Sequence, residues 1–334
     1  MLSKLFESLY FKVFISIIVS RSKSVVYIET VGKNGVVYSV QESFNTINID
    51  EDMYKFISSY ISESPFYYVS ILDKSLSQGA SSSCSSKEMS EYFDLSSSKY
   101  LCYANRWSFY TSKLDLHSLE KEYSRIGIDF VFSPFVVLAK FFKDKINTNM
   151  AMFILIEDSF VTLSVFDNSE LLYSKHLDME HYKDSDELLM EDHDSSDIEL
   201  EMDDDMDLED FDSDELDNLG DIEDLDTLDD LDEFSDAKDI KEELQEELDY
   251  LPIKEIDSFN EDYQRFLLIQ GSINDFYKND KYHSQFIEST YIADGVGVSS
   301  DLKRYLEEEM FLNVYVRNMD LNAEICELAK AELV

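Results

Sequence analysis

At 334 residues, 44% hydrophobic and 13% aromatic, the chain has room for two lobes and a sizeable core, ample for a globular protein. The net charge of −44 is uneven: residues 178–249 hold 36 of the 72 acidic residues against Lys183, Lys238 and Lys241, which places −33 there and −11 on the rest. Direct binding to nucleic acid or anionic lipid, both of which need clustered Lys and Arg, is disfavoured, and basic partners are favoured.

The N-terminal run 5–20 is apolar, but its longest charge-free stretch, Val13 to Val19, is broken by Ser16 and preceded by Lys12. A spanning helix needs about 20 such residues, and no small-residue cleavage site follows. The run therefore reads as a buried strand of a cytoplasmic chain with no membrane span of its own. Lys12 to Val19, Val25 to Val31 and Val36 to Phe44 form three successive antiparallel strands, with Gly32-Lys33-Asn34-Gly35 as a hairpin turn. Asp50 to Ile61 is amphipathic at helical spacing, Phe66 to Leu72 is a strand, and Ser75 to Ser86 is a Ser-rich surface loop by composition. Tyr100 to Ala104 and Trp107 to Tyr110 are strand-like.

Leu116 to Ile126 reads as a helix closed by Gly127, and Ile128 to Phe132 as a strand. Ser133-Pro134 caps and starts a helix that runs to Lys145. Met150 to Leu177 is the centre of the chain: an apolar run, Met152 to Ile156, then alternation through Val161, Leu163 and Val165, a turn at Asp167-Asn168-Ser169 and a return strand. A buried run beside a half-buried alternating strand suits the central sheet of an α/β domain. Towards the C-terminus the pattern predicts a helix over Phe259 to Tyr277 interrupted or bent near Gly271, a strand over Phe286 to Ala293 and a helix over Ser300 to Met310. A strand over Leu312 to Val316 and a closing helix over Asn322 to Leu333 complete it. Strand-helix-strand units after an antiparallel opening give an α/β class.

Within the acidic segment, Leu216, Leu219, Ile222, Leu225, Leu228, Leu231 and Phe234 recur every three residues. On an α-helix that period precesses by about 60° per step and circles the surface instead of forming a stripe. Dense like charge adds self-repulsion, so disorder in the free protein is expected. Two roles stay open: a solvated insertion with no specific role, or an acidic-hydrophobic segment that orders against a basic partner through Leu225, Leu228, Leu231 and Phe234. Calcium binding is a third, but no window has the EF-hand spacing.

Cys84, Cys102 and Cys326 are too widely and irregularly spaced to suggest a disulfide framework or a zinc site, and a reducing compartment fits best. Five histidines are scattered; His176 and His181, five apart beside acids, are either surface polar residues or an incidental metal site, and no metal is assigned. No Walker loop, no Gly-x-Ser-x-Gly elbow and no recognisable Ser-His-Asp spacing occurs, so no catalytic residue is assigned. The aromatic cluster Tyr100, Tyr103, Trp107, Phe109 and Tyr110 is either core packing or a partner groove anchored by Tyr103, Arg106 and Trp107.

The order of these pieces resembles the actin-like ATPase superfamily, and within it the PilM, GspL and FtsA-like branch, over nearly the whole chain apart from the acidic segment. The resemblance implies an α/β, ribonuclease H-like two-lobed fold. Residues 1–148 would be a first lobe with an inserted subdomain, 149–177 with 251–334 the second lobe, and 178–250 an acidic, disordered insertion. In that family a first hairpin carries the phosphate-1 loop, a middle hairpin the phosphate-2 loop and a Gly-rich strand-to-helix turn the adenosine site; their counterparts here are Phe14 to Glu29, Phe153 to Tyr173 and Thr290 to Val316. The third is the most specific match. Tyr291-Ile292-Ala293-Asp294-Gly295-Val296-Gly297 is a strand running into a Gly-x-Gly turn ahead of a helix, and two of only eight glycines sit there. Glycines there let a backbone approach a ligand closely, beside free N–H groups at the helix start, or they serve the tight turn alone.

The other two loops depart from the family pattern. The first, where the family has an acid and a Gly-Ser or Gly-Thr turn, reads Ile15-Ser16-Ile17-Ile18-Val19-Ser20-Arg21-Ser22; the second, in place of Asp-x-Gly, reads Ile156-Glu157-Asp158-Ser159. A non-glycine residue where positive φ is needed costs about 1 kcal/mol or more. The resemblance thus implies a degenerate nucleotide site at Ser20, Ser22, Glu157, Asp158, Asp294, Gly295 and Gly297, with weak or absent ATP and magnesium binding and no useful hydrolysis. The implied role is a non-catalytic scaffold of a type IV pilus, type II secretion or DNA-uptake machine. It would work at the cytoplasmic face of the inner membrane, as a peripheral protein or as the cytoplasmic domain of a single-pass one. Implied partners are a bitopic platform protein of the PilN or GspM kind, whose tail lies in a groove between subdomains, the assembly or secretion ATPase, and a second copy in a homodimer. The alternative is a working, polymerising actin-like ATPase. From a third class comes an acidic adaptor whose disordered segment is the active part.

Overall fold

The apolar N-terminal run is β1 (Lys12–Val19), central in a five-stranded sheet and so buried on both faces. It pairs antiparallel with β2 (Ser24–Gly32), which turns at Gly35, φ 114°, into the exposed edge strand β3 (Gly35–Phe44). Helix α1 (Glu51–Ile61), whose first turn is capped by the Asp50 carboxylate accepting from Met53 N at 2.8 Å, crosses to β4 (Tyr67–Leu72), parallel to β1. A small sheet follows: β5 (Gly79–Ser81), the short helix α2 (Ser86–Met89), β6 (Ser98–Tyr103) and β7 (Trp107–Ser112), in the order β5-β7-β6. Helix α3 (Lys113–Glu122) leads to β8 (Phe130–Phe132), parallel to β4, and α4 (Pro134–Phe141) closes the half with Ser133 as its cap and Pro134 at its start.

The second half repeats this wiring. Strands β9 (Ala151–Ile156), β10 (Phe160–Asp167) and β11 (Glu170–Asp178) form an antiparallel meander, turned by Asn168 and Ser169 at φ 49° and 71°. Helix α5 (Ile253–Lys278) crosses to β12 (Ser289–Asp294), parallel to β9; α6 (Ser300–Glu308) crosses to β13 (Asn313–Asn318), and α7 (Leu321–Glu332) closes the chain. The strand orders are β3-β2-β1-β4-β8 and β11-β10-β9-β12-β13: a three-stranded meander followed by two parallel crossovers, used twice. That is the ribonuclease H-like arrangement in duplicate, the two-lobed actin-like fold that the sequence led us to expect. The computed structural model describes residues 10–179, 253–279, 282 and 285–333, through 253–260 by backbone alone. All three sheets found among the described residues belong to one compact unit.

Three cores hold the lobes. One lies between the first sheet and α1, another between the second sheet, α5 and α6, and the largest joins the lobes through α4 and α7. Each closing helix packs on the opposite repeat: α7 against β1 and β4, α4 against β9 and β10. The exchange buries Phe135, Leu138, Ile325 and Cys326 at under 2% exposure each and ties the lobes at their shared wall.

Several expectations are corrected. The Ser-rich stretch is not all surface loop: Gly79, Ala80 and Ser81 form β5 and are buried, because their small side chains fit beneath Tyr110, whose hydroxyl lies 2.5 Å from where a Cβ on Gly79 would sit. Helix α5 runs on through Gly271 without interruption, its apolar face of Phe266, Ile269, Ile273 and Phe276 held by the second sheet. Cys84 and Cys102, expected to be unpaired, form a disulfide, since β5 and β6 flank the same strand and bring the Cα atoms to 5.5 Å. Of the two readings open for Trp107, core packing or partner anchor, the structure takes the first: it is 2% exposed and sits edge-on to Phe166 of the second sheet at 5.8 Å. His176, one of two residues of the incidental metal pair, is no surface residue. It lies beside the rings of Phe160 and Phe135, its Nδ1 2.7 Å from Thr162 Oγ1, and burial lowers its pKa to about 4. Leu225, Leu228, Leu231, Phe234, His181, His193 and His283 lie outside the described residues, as does the expected disorder of the acidic segment. Among the described residues no helix is long and apolar enough to cross a membrane.

Candidate functional site

Because both repeats begin with a hairpin, the turns β1–β2 and β9–β10 meet across the lobe boundary. With the end of β12 and the start of α7 they enclose a cleft of about 460 Å³. Ser20, Lys23, Glu157, Asp158, Gly295 and Asp320 are among its lining residues. Ser20 Oγ donates to Glu157 Oε1 at 3.0 Å, and the other oxygen of Glu157 accepts from Ser159 N at 3.1 Å and Ser159 Oγ at 3.2 Å. Arg21, next in the turn, pairs with Glu261 of α5 at 2.6 Å and lies 3.9 Å from Asp158. Arg265, one helical turn beyond Glu261, binds it at 3.1 Å and the buried Asp262 at 2.6 Å. At the floor, Ser16 Oγ donates to the backbone carbonyl and side-chain oxygen of Asn322 at 3.0 and 2.9 Å, fixing α7 on β1.

The Gly-x-Gly turn is occupied by its own chain. Asp294, 5% exposed, accepts from Val296 N at 3.0 Å and Gly297 N at 2.7 Å through one oxygen, and from Val298 N at 3.0 Å through the other. Gly295 N donates to Ile156 O at 3.0 Å, and Ser299 N to the Asp262 carboxylate at 2.8 Å. The backbone donors from 295 to 299 are thus all satisfied, those of 296–298 by a carboxylate, and none of these is free to receive an anion. Two like charges 4 Å apart repel by about 4 kcal/mol at the effective dielectric of a protein surface. With Glu157, Asp158 and Asp320 facing Lys23, the lining is acidic besides. Glycine is favoured at 295 by the chain, since a Cβ there would lie 3.0 Å from Ile156 O, and at 297 by φ 84°.

Of the sequence-derived residues, the fold brings Ser20, Glu157, Asp158 and Gly295 into one cleft, with Asp294 and Gly297 directly behind its rim. Ser22 is exposed and does not line it. Glu261, Asp262, Arg265, Ser16 and Asn322 were missed. The three-and-four spacing of Glu261, Asp262 and Arg265 is a legible helical ion-pair signal, whereas nothing local marks Ser16 or Asn322. Among the described residues no group of three His, Cys, Asp or Glu is placed to hold a metal.

A second concavity, about 480 Å³, lies between two sheet edges, β6 of the small sheet and β8 of the first. Tyr100, Leu101, Tyr103, Phe109, Phe130 and Val131 line it; Leu101 is 59% exposed and Tyr100 37%. Tyr103 lies against Trp107 at 4.8 Å, so the aromatic cluster divides, with Trp107 inward and Tyr103 on the groove. Arg106 is exposed beyond it, near Asn168 O at 3.5 Å.

A profile of the family described as "Domain of unknown function (DUF8341)" matches residues 152–334, and one of "Domain of unknown function (DUF8569)" matches residues 10–139. The two matches correspond to the two repeats. No curated protein matches. Among solved structures, a Bacteroides thetaiotaomicron protein with actin-like ATPase fold and unknown function is 10% identical, with 95% of this chain and 96% of that one covered and a TM-score of 0.43. The PilM-PilN type IV pilus biogenesis complex gives 10%, 95%, 96% and 0.47, and MreB5 of Spiroplasma citri bound to ADP gives 10%, 96%, 97% and 0.45. At these scores the fold assignment rests on the strand wiring, and any function on the cleft and groove themselves.

Proposed function

Since this chain belongs to the family of the domain of unknown function DUF8341 and has the actin-like wiring in both halves, we propose that it is a non-catalytic scaffold, an actin-like body that binds partners instead of turning over ATP. The observation that carries this reading is Asp294 in the Gly-x-Gly turn, the counterpart of the adenosine loop, where its carboxylate takes up the backbone donors that would otherwise be free for a ligand. The groove between β6 and β8 supports the other half of it. Two strand edges that no other described strand pairs, flanking aromatic and aliphatic side chains, suit an extended peptide, held by main-chain bonds and side-chain pockets.

In this proposal the peptide is the cytoplasmic tail of an inner-membrane platform protein of the PilN or GspM kind, in a pilus, secretion or DNA-uptake machine, and the assembly ATPase docks elsewhere. Residues 178–250 are an accessory acidic insertion for a basic partner, and the lobes divide at 148/149. Calorimetric titration with ATP and magnesium tests the first claim: no heat of binding is expected up to millimolar nucleotide, and low-micromolar affinity with turnover would sink it. The rival, a working ATPase, draws on Glu157 and Asp158 at the β9–β10 turn and is decided by the same titration. Photo-crosslinking from Leu101 in membranes tests the groove. Deletion of residues 184–236 should leave that crosslink intact, whereas an adaptor working through its acidic segment would lose it.

A further inference from the structure

The Cys84–Cys102 disulfide closes over the groove wall. Cys102 lies on β6, which among the described strands pairs only with β7, and lines the groove; Cys84 follows β5 on the far side of β7. The bond therefore staples residues 84–97 across the outside of β7. That segment carries Phe93, stacked on Tyr110 at 3.8 Å and near Tyr100 at 6.0 Å, and both tyrosines line the groove. Cys102 is exposed and Cys84 half-buried, so the bond is open to attack. The third cysteine, Cys326, is fully buried, and burial pushes its thiol up to about 12, which keeps it un-ionised and out of any exchange.

We propose that Cys84–Cys102 is a site of reversible exchange with a dithiol, and that its state sets the order of residues 82–103 and with it the wall of the groove. A dithiol thiolate attacks one sulfur, the S–S bond breaks, and a mixed disulfide forms; the second thiol of the reagent then displaces the cysteine. Two electrons and two protons end on Cys84 and Cys102, and the dithiol leaves as a disulfide. Exposed disulfides are the labile ones, and this one is the sole covalent tie between an edge strand and the loop that props its aromatic side chains. The consequence for docking rests on the groove reading above; the exchange does not.

The full chain is compared before and after dithiothreitol by thiol alkylation and hydrogen exchange. Two further thiols are expected on reduction, with amide exchange over residues 82–103 at least tenfold faster and residues 151–178 unchanged. Trp107, the only tryptophan, reports the same event in its emission, since Cys84 Sγ lies 3.4 Å from its carbonyl oxygen. Re-oxidation with glutathione disulfide should restore both signals. Cys84→Ser should start in the fast-exchanging form and ignore the reagent; if it fails to fold, the reduced wild type carries the test. No new thiol, or exchange within twofold, overturns the proposal. A thiol response without any crosslink from Leu101 overturns the groove reading and leaves the exchange site standing.

Discussion

The carboxylate of Asp294 accepts the backbone N–H of Gly297 at 2.7 Å, three residues ahead of it in the chain, and so the Gly-x-Gly turn is closed by its own first residue. The arrangement also welds β12 to α6, because the same side chain holds Val296 and Val298. Asp294→Ala removes three charge-assisted bonds to backbone donors, of which those of Val296 and Gly297 lie on exposed residues that water can reach, so a loss of about 1–2 kcal/mol is expected in urea unfolding. A stability change below measurement error would mean that the carboxylate does not occupy the turn in solution.

Arg21 and Glu261 join the lobes at 2.6 Å, both side chains about a quarter exposed or less. A double-mutant cycle of Arg21→Ala and Glu261→Gln should give a coupling of roughly 1 kcal/mol. It should shrink as salt is raised, since the pair is partly solvated. Zero coupling at low salt would show that the two groups do not meet.

His176 titrates with a sign that can be worked out. Burial lowers its folded pKa to about 4, below the usual value of about 6.5 for an unfolded chain. The neutral ring is favoured in the fold, so its contribution is complete above pH 6.5 and is lost as pH falls towards 4, by roughly 3 kcal/mol in all. Unfolding free energies measured between pH 7 and pH 4 should fall steeply in the wild type and less steeply in His176→Gln. Parallel slopes would contradict the buried neutral histidine.

Ala104 sits at φ 50° in the turn between β6 and β7, followed by Asn105 at 56°. Asn tolerates that region; Ala is strained there by about 1 kcal/mol. Ala104→Gly should therefore raise stability by up to about 1 kcal/mol, less the chain entropy that glycine brings to the unfolded state. A lower melting temperature for the variant would show that the turn relaxes out of positive φ.

Much of the architecture was legible because it is written in near neighbours. The mostly apolar run Val13 to Ile18 and the β9–β11 meander carry their own pattern. Ser133-Pro134 carries its own cap, and Asn168-Ser169 its own turn. The order of those pieces sufficed for a duplicated α/β wiring and for placing Ser20, Glu157, Asp158 and Gly295 on loops that meet.

Contacts between distant parts of the chain decided the rest. Whether Trp107 faced a partner or Phe166 depended on how the small sheet settles on β10, and whether Gly79 to Ser81 was loop or strand depended on Tyr110 above them. Cys84 met Cys102 because two strands share a neighbour, and Ser20 met Glu157, 137 residues away, because two hairpins close on one another. Periodicity, caps and turn residues act over a few residues and can be read along the chain. Burial, ion pairing and the filling of the Asp294 turn are properties of closure, settled only when separated segments exclude water together.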